Sequence, residues 1–154
     1  MFISFLILAI VVAVIMTVLR KGRLVYNLYK YLLVLCVGLS GIYGFTGHFF
    51  VPDLVAESIG WPSGNPFQQE VGFTNLSFGV VGLLCLRYGS DFRLATVIGY
   101  SIFLLGAAYT HLVDLSFNDN LSSGNAGEVL YYDILVPLLL IALAITTNRK
   151  SSKA

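Results

Sequence analysis

Apolar residues fall in five long runs separated by short polar segments: Phe2–Leu19, Val25–Phe45, Phe67–Leu86, Leu94–Val113 and Val129–Thr147. Each approaches the roughly 20 residues that an α-helix needs to cross a bilayer. The pattern predicts an all-α, polytopic membrane helical bundle with five transmembrane helices, one integral-membrane domain over residues 1–154. In "RYGSDFR", Gly89 stops the third helix and Ser90 or Asp91 starts the fourth, so these two are expected as antiparallel neighbours. In "GNPFQQE", Asn65 is expected to cap the third helix, Pro66 to take its first position and Gln68 to complete a capping box. "LVAESIGW" reads as a short interfacial piece anchored by Trp61, and "LSFNDNLSSGNAG", residues 115–127, as a mobile polar loop.

The second run ends unusually. "GLSGIYGFTGHFFVPD" places glycine at 38, 41, 44 and 47, just before His48. Glycine in a helix interior costs roughly 1 kcal/mol relative to alanine. Helices in lipid pack through small residues that let backbones approach. At 100° per residue, Ser40, Gly41, Gly44 and His48 share one side, so His48 is expected to face a neighbouring helix. His111 lies over Ala107 and Ala108 in the fourth run, with Asp114 on the same face. The third run carries a polar stripe, Glu70, Thr74 and Ser77, with Asn75 nearby; it is expected to face the bundle interior, because lipid would penalise it.

Composition supports the membrane reading. Of 154 residues, 57% are hydrophobic and 11% charged, against about 25% charged in a soluble domain. The net charge of +1 offers no basic face for nucleic acid. Cys36 and Cys85 sit in separate apolar runs without metal-site spacing and read as small buried residues. The first run has no basic residue before it and no small-residue cleavage site, so it reads as a retained anchor. With the N-terminus outside, Arg20, Lys21, Arg23, Lys30, Arg87, Arg93, Arg149, Lys150 and Lys153 all fall on the cytoplasmic side. Asp53, Glu57, Glu70, Asp114, Asp119, Glu128 and Asp133 fall outside, and Asp91 inside. The expected location is the bacterial inner membrane, multi-pass, with the C-terminus cytoplasmic. The bilayer is one partner; a second membrane protein or a second copy of the chain is another.

Depth defines a candidate site. His48, His111, Glu70 and Asp133 lie 16 to 18 residues from the basic residue at the other end of their helix, roughly 24 to 27 Å at 1.5 Å per residue. Four ionisable groups on four helices thus share one level near the outer boundary. Asp114 and Asn75 join them as candidates for ligand binding or proton handling. Four uses are open: a structural role, a small-molecule pocket, proton or ion movement, or a transition metal held by His48, His111 and Glu70. Pro137 frees the carbonyl of Asp133 from its helical bond. Tyr109, Tyr131 and Tyr132 read as interfacial belt residues.

"GIYGFTGHFFVPD", "IGWP" and "PFQQEVGFTNLSFGVVGLLCLRYG" resemble the DoxX-like superfamily of small bacterial four-helix membrane proteins. The resemblance covers about two thirds of the chain, from Gly38 onward. It implies a four-helix core with Phe2–Leu19 as an added peripheral helix. It also implies functional positions at His48 and Glu70, and a ridge at Gly79 and Gly82. Family members often carry lysine where His48 stands. Some act as partners of thiosulfate:quinone oxidoreductase or of redox-stress complexes.

The expected function is therefore an outward-facing polar pocket lined by His48, Glu70 and His111, with Asp114 and Asp133 at its rim, binding a small molecule or a partner protein. The alternative is a membrane redox enzyme or subunit, quinone-linked or metal-dependent, in which the same residues relay protons.

Overall fold

The computed structural model describes the backbone of residues 1–151 and the side chains of residues 1–147. Six helices follow one another: α1 (Phe2–Val18), α2 (Leu24–Phe50), α3 (Pro52–Ile59), α4 (Phe67–Leu84), α5 (Ser90–Asn118) and α6 (Glu128–Ser151). Among the described residues there is no strand. Three helices are long and apolar enough to cross a bilayer: α2, α5 and the Glu128–Thr147 part of α6. The other two expected spans fall short of that standard. α1 is apolar but has 17 residues, and the first turn of α4, with Gln68, Gln69 and Glu70, lowers its hydropathy.

Small residues decide which helices touch. A methyl group added at Gly41 would lie 2.7 Å from the Asn75 carbonyl oxygen and 2.8 Å from the Gly79 nitrogen. One added at Gly82 would lie 2.8 Å from the Gly38 Cα. Glycine is thus required where α2 crosses α4, as the sequence pattern predicts, and it allows backbone-to-backbone contact. α1 buries Ala9 and Ala13 completely as it packs on α2 and α6.

α5 packs along α6 but meets α4 only near their linked ends. There Cys85 Sγ lies 3.4 Å from Thr96 Oγ1, and Phe78 contacts Tyr100 and stacks on Phe103. α4 and α5 are therefore neighbours over half their length and separate beyond Phe78, which leaves room for a cavity.

The middle of α2, Leu32–Leu39, winds as a π-helix. The Ser40 N–H donates to the carbonyl of Leu35, five residues back, and passes over that of Cys36. Three hydroxyls take up the Cys36 carbonyl instead. Tyr100 Oη and Tyr132 Oη each lie 2.8 Å from it, and Ser40 Oγ also donates to it. Wide turns of this kind commonly sit beside functional sites.

Charge separates the two ends of the bundle. Arg93 Nε donates to the Cys85 carbonyl at 2.9 Å and its guanidinium lies over Tyr26. At the opposite end the Phe2 N–H donates to Glu128 at 2.7 Å. The side chains of Arg149 and Lys150, and all of Lys153, lie outside the described residues.

Candidate functional site

A cavity of about 790 Å³ occupies the gap between α2, α4, α5 and α6. α3, Trp61 and Gly124 close it from the end away from Arg93. Its walls are mainly apolar or aromatic, including Tyr43, Val55, Phe67, Ile102 and Phe103. Its polar lining includes His48, Gln68, Asn75, His111 and Asp133, together with the Trp61 indole and several Tyr, Thr and Ser hydroxyls.

His48 sits in the last turn of α2, where Gly72 of α4 leaves space for its Cβ. Its Nδ1 lies 2.7 Å from Gln68 Oε1. Gln68 is 3% exposed, turned into the bundle rather than back over the start of α4. The expected capping box is therefore absent. Asn65 Oδ1 accepts the Phe67 N–H at 3.0 Å in its place.

His111 is held more firmly. Its Nδ1 lies 2.7 Å from Asn125 Oδ1. The Asn125 amide nitrogen donates to the carbonyls of Asn120, at 2.8 Å, and His111, at 3.3 Å. Two donor bonds fix which end of that amide is oxygen, so His111 Nδ1 carries the proton and Nε2 is the acceptor. The Trp61 indole stacks on the imidazole, with ring centroids 5.6 Å apart and planes 19° from parallel. Trp61 Nε1 donates to Asp114 Oδ2 at 2.8 Å. Trp61 is thus a wall of the site, where the sequence suggested an interfacial anchor.

Asp133 is 5% exposed and lines the cavity. No side chain or backbone group among the described residues hydrogen-bonds to its carboxyl. Asn75 donates Nδ2 to the Val71 carbonyl at 3.0 Å, which leaves Oδ1 free to accept. Asp114 lies behind Trp61, where Asn118 and Asn120 also donate to it; it supports the wall and does not line the cavity.

Glu70 is set apart from the others: it is exposed and does not line the cavity. The stripe Glu70, Thr74 and Ser77 faces outward, contrary to the expectation from the sequence. Thr74 and Ser77 satisfy their hydroxyls on the carbonyls of Glu70 and Phe73, one turn back, which lowers the penalty of leaving the stripe outside. The buried face of α4 is Gln68, Gly72, Gly79 and Gly82, with Asn75 beside it. Among the described residues no three His, Cys, Asp or Glu side chains gather as a metal site, so His48, His111 and Glu70 do not form one here.

Residues 1–153 match DUF6790, a family of unknown function. The chain belongs to that family. No curated protein and no solved structure matches it. In this DUF6790 chain, sequence reading missed Gln68, Tyr100, Asn125, Tyr132 and Trp61 as parts of the site. Tyr131 and Tyr109 are 59% and 69% exposed, as belt residues would be, whereas Tyr132 is 2% exposed and reaches the Cys36 carbonyl. The segment 115–127, expected to be a mobile loop, is ordered in this DUF6790 member: 115–118 continue α5, the Gly124 N–H donates to the Ser58 carbonyl at 2.9 Å, and Asn125 is fully buried.

Proposed function

We propose that this DUF6790 protein is a five-helix protein of the bacterial inner membrane, N-terminus outside, that binds a small molecule in the cavity between α2, α4, α5 and α6. One observation carries the reading: Asp133, almost fully buried on a membrane-type helix, faces a cavity of about 790 Å³ with no partner of its own. An ionisable group at such a place marks a functional site, because burial without a partner is costly. The volume falls in the range of small-molecule sites, about 300–1,000 Å³. The locked orientation of His111 fits a preformed pocket, since His111 Nε2 is left to receive a ligand.

Kinship with the DoxX-like superfamily belongs to the same proposal. The close crossing of α2 on α4 through Gly38, Gly41, Gly79 and Gly82 supports it. The redox alternative has less support, because its proton relay needs Glu70 beside His48.

The test is mass spectrometry of an organic extract of the purified protein, wild type against Asp133→Leu. A small molecule retained by the wild type at near-equal molar ratio and lost from the folded variant is the expected result. An empty wild type that also shows no thermal stabilisation by any of a broad metabolite and lipid set overturns the reading. A retained quinone, with measurable quinone reduction, moves the function to the redox alternative.

A further inference from the structure

Resting on that pocket reading, we propose that the cavity takes an amphiphile with a protonated amine head and an apolar tail, admitted sideways from the bilayer between α4 and α5. Two independent features of the cavity carry this, its polar chemistry and its open side.

Of the polar groups that line the cavity, those not already spent on hydrogen bonds within the protein are mostly acceptors. Asp133 offers a carboxyl with no partner. His111 Nδ1 is bound to the Asn125 oxygen, so Nε2 accepts. His48 Nδ1 pairs with the Gln68 amide, and whichever way that pair is polarised it offers a ligand one acceptor and one donor. Asn75 Nδ2 is spent on its own helix and leaves Oδ1. The Tyr43 hydroxyl also lines the cavity and makes no hydrogen bond among the described residues, so it adds one further donor. No Lys or Arg lines the cavity. A head group complementary to this set brings hydrogen-bond donors and positive charge, which an ammonium group supplies. Trp61, Tyr43 and Phe103 add aromatic faces that favour a cation.

The route follows from one face of α5. Gly99, Phe103, Gly106 and Thr110 recur at steps of four, three and four residues and so share that face. At its lower end the face is covered: Gly99 and Phe103 lie against Phe78 of α4. Higher up it is bare. Gly106 lines the cavity, yet a methyl group added there meets nothing within 4 Å. Thr110 and Ile102 line the cavity and are exposed on the outside of the bundle, Ile102 by 70%. In a membrane that side meets acyl chains, so a tail can remain in lipid while its head reaches Asp133. Gly106 is the sill of this opening, and a bulky side chain there blocks it without a clash.

The experiment uses the full chain in phosphatidylcholine nanodiscs and three amphiphiles of equal chain length: dodecylamine, dodecan-1-ol and dodecanoate. Trp61 is the chain's single tryptophan and stacks on a cavity residue, so its emission reports occupancy. Dodecylamine is expected to change the emission saturably and to bind at least tenfold more tightly than the other two. Asp133→Asn should weaken dodecylamine about tenfold or more, as loss of a charge-assisted contact does. Gly106→Phe should slow its binding while the thermal unfolding temperature holds. Adding phosphatidylethanolamine to the discs identifies the source: competition with dodecylamine places the amine on a bilayer lipid, and its absence on a free amphiphile.

Equal or tighter binding of dodecanoate or dodecan-1-ol overturns the cationic preference and leaves the pocket standing. So does unchanged dodecylamine binding in folded Asp133→Asn. If that variant does not fold, the head-group comparison on the wild type decides alone. An unchanged binding rate in Gly106→Phe overturns the lateral route. Silence from all three amphiphiles overturns this inference; only an empty organic extract with no stabilising compound also removes the pocket.

Discussion

Asn125 grips His111 with both ends of its amide: the oxygen takes the ring Nδ1 at 2.7 Å while the nitrogen donates to the same residue's carbonyl at 3.3 Å. Asn125 has no exposed surface. Asn125→Leu therefore leaves a buried donor and two carbonyls without it, and should destabilise the fold by about 1–3 kcal/mol. Asn125→Asp keeps the acceptor for Nδ1 but turns a carboxyl oxygen onto both carbonyls, and should cost at least as much. Denaturant unfolding in detergent measures both. Nitrogen-15 NMR of the wild type should show the His111 proton on Nδ1; a proton on Nε2 would reverse the polarity ascribed to the site.

The glycine at the α2–α4 crossing and the glycine next to His48 should respond in opposite ways to alanine. At Gly41 the added methyl meets backbone at 2.7 Å, and overpacking of about 1–3 kcal/mol is expected. At Gly47 it meets only a Val55 methyl at 3.5 Å. There the gain in helix propensity, roughly 1 kcal/mol, should leave the protein as stable as before or slightly more so. Thermal unfolding of the two variants side by side reads the difference, and equal loss from both would mean that the helices do not cross where described.

Tyr100 and Tyr132 share one acceptor, the carbonyl of Cys36. Either phenylalanine variant leaves the other tyrosine in place, so each single change should cost about 1 kcal/mol or less. The double variant leaves only Ser40 at that carbonyl and should cost more than the sum of the two. A double-mutant cycle measures the excess, and strict additivity would show that the hydroxyls act separately.

Cysteine labelling tests the proposed orientation. Cys36 and Cys85 are buried and give little background. Ser63 and Ser90 are both exposed, at opposite ends of the bundle. Ser63→Cys should react with a membrane-impermeant maleimide on intact spheroplasts, and Ser90→Cys only after permeabilisation. The reverse pattern would invert the protein in the membrane.

Periodicity and residue size made much of this architecture readable. The helices begin and end close to the expected places because long apolar runs leave few alternatives. Gly41 and Gly44 were expected to face another helix, and they face α4, as Gly38 also does; Ser40, expected on the same side, meets Tyr132 of α6 instead. What failed was the choice between two polar stripes on α4. Glu70, Thr74 and Ser77 recur at helical spacing, and so do Gln68, Gly72 and Asn75. The first set is more polar, but its hydroxyls bond within their own helix, so polarity alone did not reveal the inner face. The glycines at 79 and 82 continue the second set and are the better guide. His48, His111 and Asp133 share a cavity as their common depth implied, whereas equal depth placed Glu70 at the same level on the wrong side. Asn125 sits in a loop of Ser, Gly and Asn without periodicity, and only the tertiary contact with His111 distinguishes it from its neighbours.

The wide turn in α2 also changes what a lost residue would mean. Within Leu32–Leu39 the winding already holds slack, so a deletion there can relax to ordinary α-helix and take with it the carbonyl that Tyr100 and Tyr132 share. Between Ser40 and Gly47 there is no slack. A deletion in that stretch turns everything beyond it by about 100° relative to the glycine contacts, and His48 swings off Gln68 toward lipid. Two chains shortened by the same amount would thus differ in kind, one keeping the pocket wall but losing its hydroxyl cluster, the other keeping the cluster but losing a wall.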